Sequence, residues 1–151
     1  MSLTVKLITI AIATGLIVLG LKYALRPNPT LPPANKQESP LSLATKEDTG
    51  GNVTVKVTPQ TLAAGKLPSF SLVFDTHSVD LNFDVVKVSK LSDDTGADYV
   101  SPSWDGSPPG GHHRQGKLTF PTPINTLATD ITLKFLDISG VPERTFTWKV
   151  K

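Results

Sequence analysis

Apolar and polar residues alternate through most of the chain after residue 52, and this pattern constrains the fold more than any other feature. The alternating runs lie at 53–57, 70–74, 86–88, 97–100, 118–120, 131–135 and 146–150. Successive side chains of a strand point to opposite faces, so each run predicts a strand buried on one face. No segment after residue 26 shows a helical stripe. We therefore predict an all-β fold, an antiparallel immunoglobulin-like sandwich of about seven strands.

The composition of the chain changes twice before this region begins. Residues 3–25 are almost wholly apolar, and residues 26–49 contain five prolines but few large apolar side chains. An apolar segment followed by a Pro-rich stretch is typical of a membrane anchor and an extended linker. The sequence thus predicts a transmembrane anchor at 1–25, a Pro-rich linker at 26–49 and the sandwich domain at 50–151.

The apolar segment predicts one uncleaved membrane-spanning helix. Its uncharged core, residues 7–21, is shorter than the roughly 20 residues that a span needs. Lys6 and Lys22 flank this core, and their long side chains can extend the amines to the membrane interfaces. A cleaved signal peptide is the alternative, but Lys22 stands where a cleavage site needs a small residue.

The location of the domain follows from the charges around this helix. Lys22 and Arg26 slightly favour a cytoplasmic domain, whereas the very short N-terminal tail without acidic residues is typical of a signal anchor. We expect the second arrangement: a single-pass protein of the cell membrane, held in the lipid bilayer through residues 3–25, with its domain on the extracytoplasmic (periplasmic or surface) side. Small residues in the span suit packing against other membrane proteins, which are the expected partners.

Charge and motif content exclude several function classes. The formal net charge is +2, but residues 50–151 contain ten Lys or Arg and ten Asp or Glu, so the domain lacks the basic surface that nucleic acid binding requires. The chain has no cysteine, which excludes disulfides, thiolate metal sites and cysteine nucleophiles. It also has no nucleophile elbow, Walker loop, zinc-protease motif or dinucleotide loop. We predict a protein that is not an enzyme and has no nucleic acid partner.

The segment "DDTGAD" at 93–98 resembles part of a calcium-binding loop. It lacks the complete spacing of oxygen ligands and the closing glutamate of such a loop. Asp and Gly between two strands are typical of a hairpin turn, which is our prediction here.

Two segments, "FDTHSVDL" at 74–81 and "GGHHR" at 110–114, contain all three histidines. If the first strand continues through residue 77, Asp75 and His77 lie on its outer face. His112 and His113 are adjacent, so they project to opposite sides and only one of them can join the pair. The resulting three nitrogen and oxygen ligands suit Zn²⁺ or Cu²⁺. A metal site at Asp75, His77, His112 and His113 is therefore one hypothesis, although the positive charge of Arg114 disfavours a cation.

A structural corner is the interpretation we favour for the same region. Pro108 and Pro109 restrict the backbone to an extended path, and Gly110 and Gly111 permit a sharp turn. In this interpretation Trp104 covers the edge of the core, Arg114 pairs with Asp75 or Asp105, and a histidine donates to backbone carbonyls. A contact surface for a partner is the third alternative.

Three motifs resemble those of a family of uncharacterised bacterial and archaeal domains that are exported or membrane-anchored. They are D-T-H-S, W-x-G-x-P-P-G-G-H-H-R-x-G and G-x-P-E-R-x-F-x-W, which this chain carries in that order in "FDTHSVDL", "SWDGSPPGGHHRQGKLTF" and "GVPERTFTWKV". The resemblance covers residues 52–150. It implies the same domain boundary, an outward orientation and one spatial cluster of Asp75, His77, His112, His113 and Arg114, but no activity.

These observations predict a membrane-anchored extracytoplasmic domain that acts as a non-enzymatic accessory or interaction module, such as a small subunit of a larger membrane complex. This function needs no cofactor. The alternative is a periplasmic or surface domain that binds a divalent Zn or Cu ion through the histidine cluster.

Overall fold

The computed structural model describes residues 43–150, which form an almost entirely β domain. The predicted membrane anchor, its orientation and the linker up to residue 42 lie outside this range. Among the described residues, no helix is long and apolar enough to span a membrane. The elements are β1 (Lys46–Gly50), β2 (Val53–Thr61), β3 (Ser69–Thr76), α1 (Val85–Val88), β4 (Ser89–Asp93), β5 (Asp98–Tyr99), β6 (Ser103–Gly106), β7 (His113–Thr119), β8 (Asp130–Ile138) and β9 (Val141–Lys149).

The strands form two antiparallel sheets that share one hydrophobic core. The first sheet has the order β1-β2-β3-β7-β6, and the second has the order β5-β4-β8-β9. Both sheets contribute buried side chains to the core; across it, the ring centroids of Phe74 and Phe135 lie 5.7 Å apart in an edge-to-face arrangement. The predicted all-β, sandwich-like architecture is confirmed, with nine strands in the described range where the sequence indicates about seven.

The period-two pattern identifies the buried face of the central strands correctly. Val53, Val55 and Val57 of β2 are fully buried, as are Phe70 and Leu72 of β3, while the residues between them are partly or fully exposed. Burial of each such side chain contributes about 1.5–3 kcal/mol to folding. The hydrophobic effect therefore determines which face of these strands is turned inward.

The predicted linker boundary at residue 49 falls inside a strand. Residues 46–50 form β1, which pairs with β2 from Lys46↔Val57 to Gly50↔Val53. Its sequence, KEDTG, shows no alternation of apolar and polar residues. This edge strand is held instead by backbone pairing with β2 and by polar contacts to β9. Arg144 of β9 is buried and donates to the carboxylate of Asp48 and to the Gly50 carbonyl, the latter at 2.6 Å.

Two other strands differ from the prediction. Val86 and Val88, expected in a strand, lie in the helical turn α1, and the strand begins only at Ser89. The turn forms because the Asp84 carboxylate accepts from the backbone N–H groups of Val86 and Lys87, an N-cap that interrupts the extended chain. Strand β6 has no sequence signal, since Trp104 is its single partly buried residue.

The two ends of the sandwich carry different parts of the chain. At the end we call proximal, the described chain enters beside β9: Trp148 Nε1 donates to the Ala44 carbonyl at 2.8 Å. The loops at 62–68, 94–97 and 120–129 lie at this end. At the opposite, distal end lie the loops at 51–52, 77–84, 107–112 and 139–140. The histidines therefore lie at the end farthest from the entry of the described chain.

Candidate functional site

The centre of the candidate site is a hydrogen-bonded pair, Asp75 and His113. The two residues are directly opposite each other in the β3–β7 register, and His113 Nδ1 lies 2.8 Å from Asp75 Oδ1. The pair is on the outer face of the sheet, with 67% of the His113 side chain and 43% of the Asp75 side chain exposed. An ionised carboxylate can only accept, so Nδ1 of His113 carries the proton and the lone pair of the neutral ring is on Nε2.

His77 lies beside this pair, one residue beyond the end of β3. Its ring centroid is 6.2 Å from that of His113, and the two rings are nearly perpendicular. The position of His77 is set by Thr76, whose hydroxyl donates to the Asn52 carbonyl at 2.6 Å and accepts from the backbone N–H groups of Ser78 and Val79. The structure thus places both Asp75 and His77 beside His113.

His112 contributes to the site through its backbone. Its carbonyl accepts a hydrogen bond from the Thr76 N–H at 3.0 Å, which extends the connection between β3 and β7 past the end of the sheet. The His112 side chain is exposed and makes no hydrogen bond or ion pair within residues 43–150. The two adjacent histidines therefore differ in role: His113 contributes its ring and His112 its backbone carbonyl.

Arg114 lies on the other face of β7 and is 2% exposed. One terminal nitrogen donates to the carbonyls of Leu81 and Phe83 at 2.9 and 2.7 Å, and the other to the Ser107 carbonyl at 3.3 Å. The expected pairing of Arg114 with Asp75 or Asp105 is wrong, because strand alternation turns its side chain inward. Burial lowers the pKa of the Arg114 guanidinium, and the nearby Asp84 carboxylate opposes that shift.

Trp104 packs beside Arg114 at the edge of the core. Its ring meets that of Phe74 edge-on with centroids 6.4 Å apart, and its Nε1 donates to the Ser107 carbonyl at 3.0 Å. Ser107 therefore accepts from both Trp104 and Arg114, which connects the two side chains through one backbone carbonyl.

The segment from Pro108 to Gly111 crosses the 77–84 loop. Gly110 N–H donates to the Leu81 carbonyl at 2.9 Å, and Leu81 N–H donates to the Gly111 carbonyl at 3.0 Å. Both glycines have positive φ, 110° and 74°, which permits the reversal after Pro108 and Pro109. The loop and the segment consequently hold each other at the distal end.

The sequence interpretation missed several residues that build this site. The carbonyls of Ser107 and Leu81 and the ring of Phe83, which lies 5.1 Å from the Arg114 guanidinium, have no recognisable motif. Thr76 had a weak signal, because a threonine hydroxyl at a strand end can accept from the backbone N–H groups of the turn that follows.

The "DDTGAD" segment forms the predicted turn, between β4 and β5 at the proximal end. The Asp93 carboxylate accepts from the N–H groups of Thr95 and Ala97, and from the Tyr99 hydroxyl at 2.7 Å. The Asp94 carboxylate accepts from Thr129 and from the backbone of Asp130, and these hydrogen bonds lower its pKa to about 2. Both carboxylates are thus used as acceptors for protein donors.

Two shallow grooves flank Asp75 on the outer surface. One, of about 280 Å³, is lined mainly by hydroxyl and amide side chains between Thr49 and Ser78. The other, of about 250 Å³, lies along His113 and Gln115. Within residues 43–150, no three His, Cys, Asp or Glu side chains are arranged to hold a metal ion. The site is an open surface with one oriented imidazole, a second imidazole and a carboxylate.

The fold and the site define an all-β domain of two antiparallel sheets with a polar histidine cluster at its distal end. Comparison of the chain with protein-family models, with curated proteins and with solved structures finds no match. Its function is therefore inferred from this geometry and from the sequence.

Proposed function

We propose that the chain is a membrane-anchored extracytoplasmic protein whose domain acts as a non-enzymatic interaction module, as a small subunit of a larger membrane assembly. The proposal rests on one observation: the histidines and the residue where the described chain begins lie at opposite ends of the domain. The described chain enters beside Ala44 at the proximal end, whereas His77, His112 and His113 lie at the distal end. In this proposal the histidine loops, at the end of the domain opposite to Ala44, are the surface that meets the partner.

We also propose that the domain is of immunoglobulin-like type. The order β2-β3-β7-β6 corresponds to the A-B-E-D sheet of such domains, and β4-β8-β9 corresponds to the C-F-G sheet. Strand β5 takes the position of C′, and β1 is an additional strand before A. In this correspondence the 77–84 and 139–140 loops are the B–C and F–G loops, which immunoglobulin domains use for binding.

The form of the distal surface favours a contact surface over an enclosed catalytic site. The two grooves beside Asp75, of about 280 and 250 Å³, are smaller than the roughly 300–1,000 Å³ of most small-molecule sites. The loops around them are held by Arg114 and Thr76. A partner protein that meets this surface would find it already ordered, which reduces the entropy cost of binding.

Site-directed cysteine chemistry tests this proposal, because the chain contains no cysteine. Ser78→Cys places a thiol at the distal end and Thr126→Cys a matched thiol at the proximal end; both positions are exposed. In intact cells that express the full chain, a membrane-impermeant maleimide should label both variants. A short photo-crosslinker should capture a membrane protein from position 78 and not from position 126.

Two results would contradict the proposal. Labelling that requires cell lysis would place the domain in the cytoplasm. Equal crosslinking from positions 78 and 126, or none from either, would mean that the distal surface is not a binding surface.

A second candidate function, binding of a divalent Zn or Cu ion, is favoured by one observation. Asp75 holds the His113 ring in a single tautomer, and the His77 ring lies 6.2 Å away from it. This carboxylate–imidazole arrangement is common around metal-binding histidines.

A further inference from the structure

We propose that His77 and His113 together bind one Cu²⁺ ion, each through one imidazole nitrogen, while Asp75 stays outside the coordination sphere and orients His113. The inference rests on the metal-binding candidate function and specifies its ligands. It differs from the ligand set expected from the sequence, in which Asp75 coordinates the ion directly and either His112 or His113 supplies the second imidazole.

The separation of the two rings permits a shared ion. A metal bonded at about 2.0–2.1 Å to one nitrogen of each imidazole lies about 3.2 Å from each ring centre, so two such rings are at most about 6.4 Å apart. The centroids of His77 and His113 are 6.2 Å apart. The His77 ring is exposed, so rotation about its side-chain torsions can bring its nitrogen closer while His113 keeps its hydrogen bond to Asp75.

Asp75 determines which His113 nitrogen is available. Its carboxylate is 2.8 Å from Nδ1, which must be the protonated nitrogen, so the lone pair that can bind a metal is on Nε2. A carboxylate in this position fixes the tautomer and the orientation of the ring, as outer-sphere carboxylates do in metalloproteins. If Asp75 became a ligand, this hydrogen bond would be lost.

The positions of the Arg114 and His112 side chains are both compatible with a cation bound by His77 and His113. The Arg114 guanidinium is held on the core side of β7 by three backbone carbonyls, so its charge is directed away from the outer face. The His112 side chain makes no hydrogen bond or ring contact with Asp75, His77 or His113 within residues 43–150, so it is not part of this ligand set.

The metal preference follows from the small number of protein ligands. Since no third His, Cys, Asp or Glu side chain in residues 43–150 joins the two rings, water completes the coordination sphere. Nitrogen and oxygen ligands of this kind suit tetragonal Cu²⁺, and the order of divalent-metal affinities places Cu²⁺ above Zn²⁺.

Titration of the full chain in detergent micelles tests the ligand set. Because the chain contains three histidines in total, three single substitutions account for every imidazole. Cu²⁺ is added to the wild type and to His77→Ala, His113→Ala and His112→Ala, and binding is followed by calorimetry and electron paramagnetic resonance. We expect one equivalent of Cu²⁺ with two nitrogen ligands in the wild type and in His112→Ala. We expect at least tenfold weaker binding and a one-nitrogen spectrum in the other two variants, with unchanged thermal unfolding.

Asp75→Asn separates an outer-sphere role from direct coordination. Loss of an outer-sphere carboxylate weakens metal binding by about 10- to 100-fold, and the spectrum should still report two nitrogens. A changed equatorial ligand set in Asp75→Asn, with both nitrogens retained, would make Asp75 a ligand and overturn the proposed arrangement.

The remaining outcomes distinguish the inference from the function on which it rests. If the wild type binds Cu²⁺ but His77→Ala or His113→Ala binds it equally well, the ligand assignment is wrong while metal binding stands. If the wild type binds neither Cu²⁺ nor Zn²⁺, the metal-binding function itself is wrong.

Discussion

Gly106 and Gly116 lie opposite each other in β6 and β7, so close that neither position has room for a side chain. A Cβ atom on either glycine would lie 2.5–2.6 Å from the Cα of the other, and 2.6–2.7 Å from the Trp104 indole. The absence of both side chains allows the indole to cover this part of the sheet and reach the Ser107 carbonyl. These two glycines are thus a packing requirement of the corner that supports the distal loops.

Gly116→Ala is expected to destabilise the domain by about 1–3 kcal/mol, since overpacking forces Trp104 or the strand to shift. Urea unfolding followed by tryptophan fluorescence measures the effect. Gln115→Ala, at the exposed neighbouring position, is the control and should change stability by less than about 0.5 kcal/mol. Equal stability of the two variants would contradict the close packing.

Arg114→Met is expected to cost about 2–4 kcal/mol, because the carbonyls of Leu81 and Phe83 lose a charged donor within the core. Amide hydrogen exchange should increase most in the 77–84 loop. Arg114→Lys keeps the charge but offers one nitrogen in place of a planar fork, so its stability should be intermediate. If exchange rises equally over the whole domain, Arg114 does not specifically hold this loop.

A fragment of residues 43–151 is expected to be more stable than a fragment of residues 51–151 by about 3 kcal/mol, because removal of β1 takes away its pairing with β2 and the Asp48 and Gly50 oxygens that accept from Arg144. Chemical denaturation of the two fragments measures the difference. A fragment that begins at residue 46 keeps β1 but loses the packing of Leu43, the Ala44 contact with Trp148 and the Thr45–Thr58 hydrogen bond, so its stability should lie between those of the other two. If all three unfold alike, β1 is not part of the folding unit.

The stability of the domain should fall at acid pH partly because of Asp94. Its pKa is lowered from 3.8 to about 2 by hydrogen bonds from Thr129 and Asp130. A lowered folded-state pKa stabilises the fold above about pH 4, and this contribution is lost as the pH falls from about 4 to 2. Asp94→Asn should therefore show a smaller loss of stability over that interval in urea titrations.

Asp105→Asn serves as the control for this pH effect, because the Asp105 side chain is exposed and makes no hydrogen bond or ion pair within residues 43–150. Its stability should follow that of the wild type across the same interval. If Asp94→Asn instead loses as much stability as the wild type between about pH 4 and 2, the hydrogen bonds to Asp94 do not contribute to folding.

The candidate site was partly predictable from the sequence. The period of two placed Asp75 and His77 on the outer face and implied that His112 and His113 separate, because strand geometry is a local property. It could not indicate that Asp75 faces His113, since the register between β3 and β7 joins residues 38 positions apart. Nor could it indicate the partners of Arg114, which are backbone carbonyls without a residue-type signal.

The sequence by itself determined the all-β class and the buried face of the central strands, because burial of alternating apolar side chains is decided within each strand. It also determined the hairpin turn at Asp93. Only the tertiary structure decided that β1 belongs to the domain and that the histidine loops share the distal end. These features depend on strand pairing and on two buried arginines, Arg114 and Arg144, whose partners are distant in the chain. Such pairings are chosen by the packing of the whole domain, which local patterns do not encode.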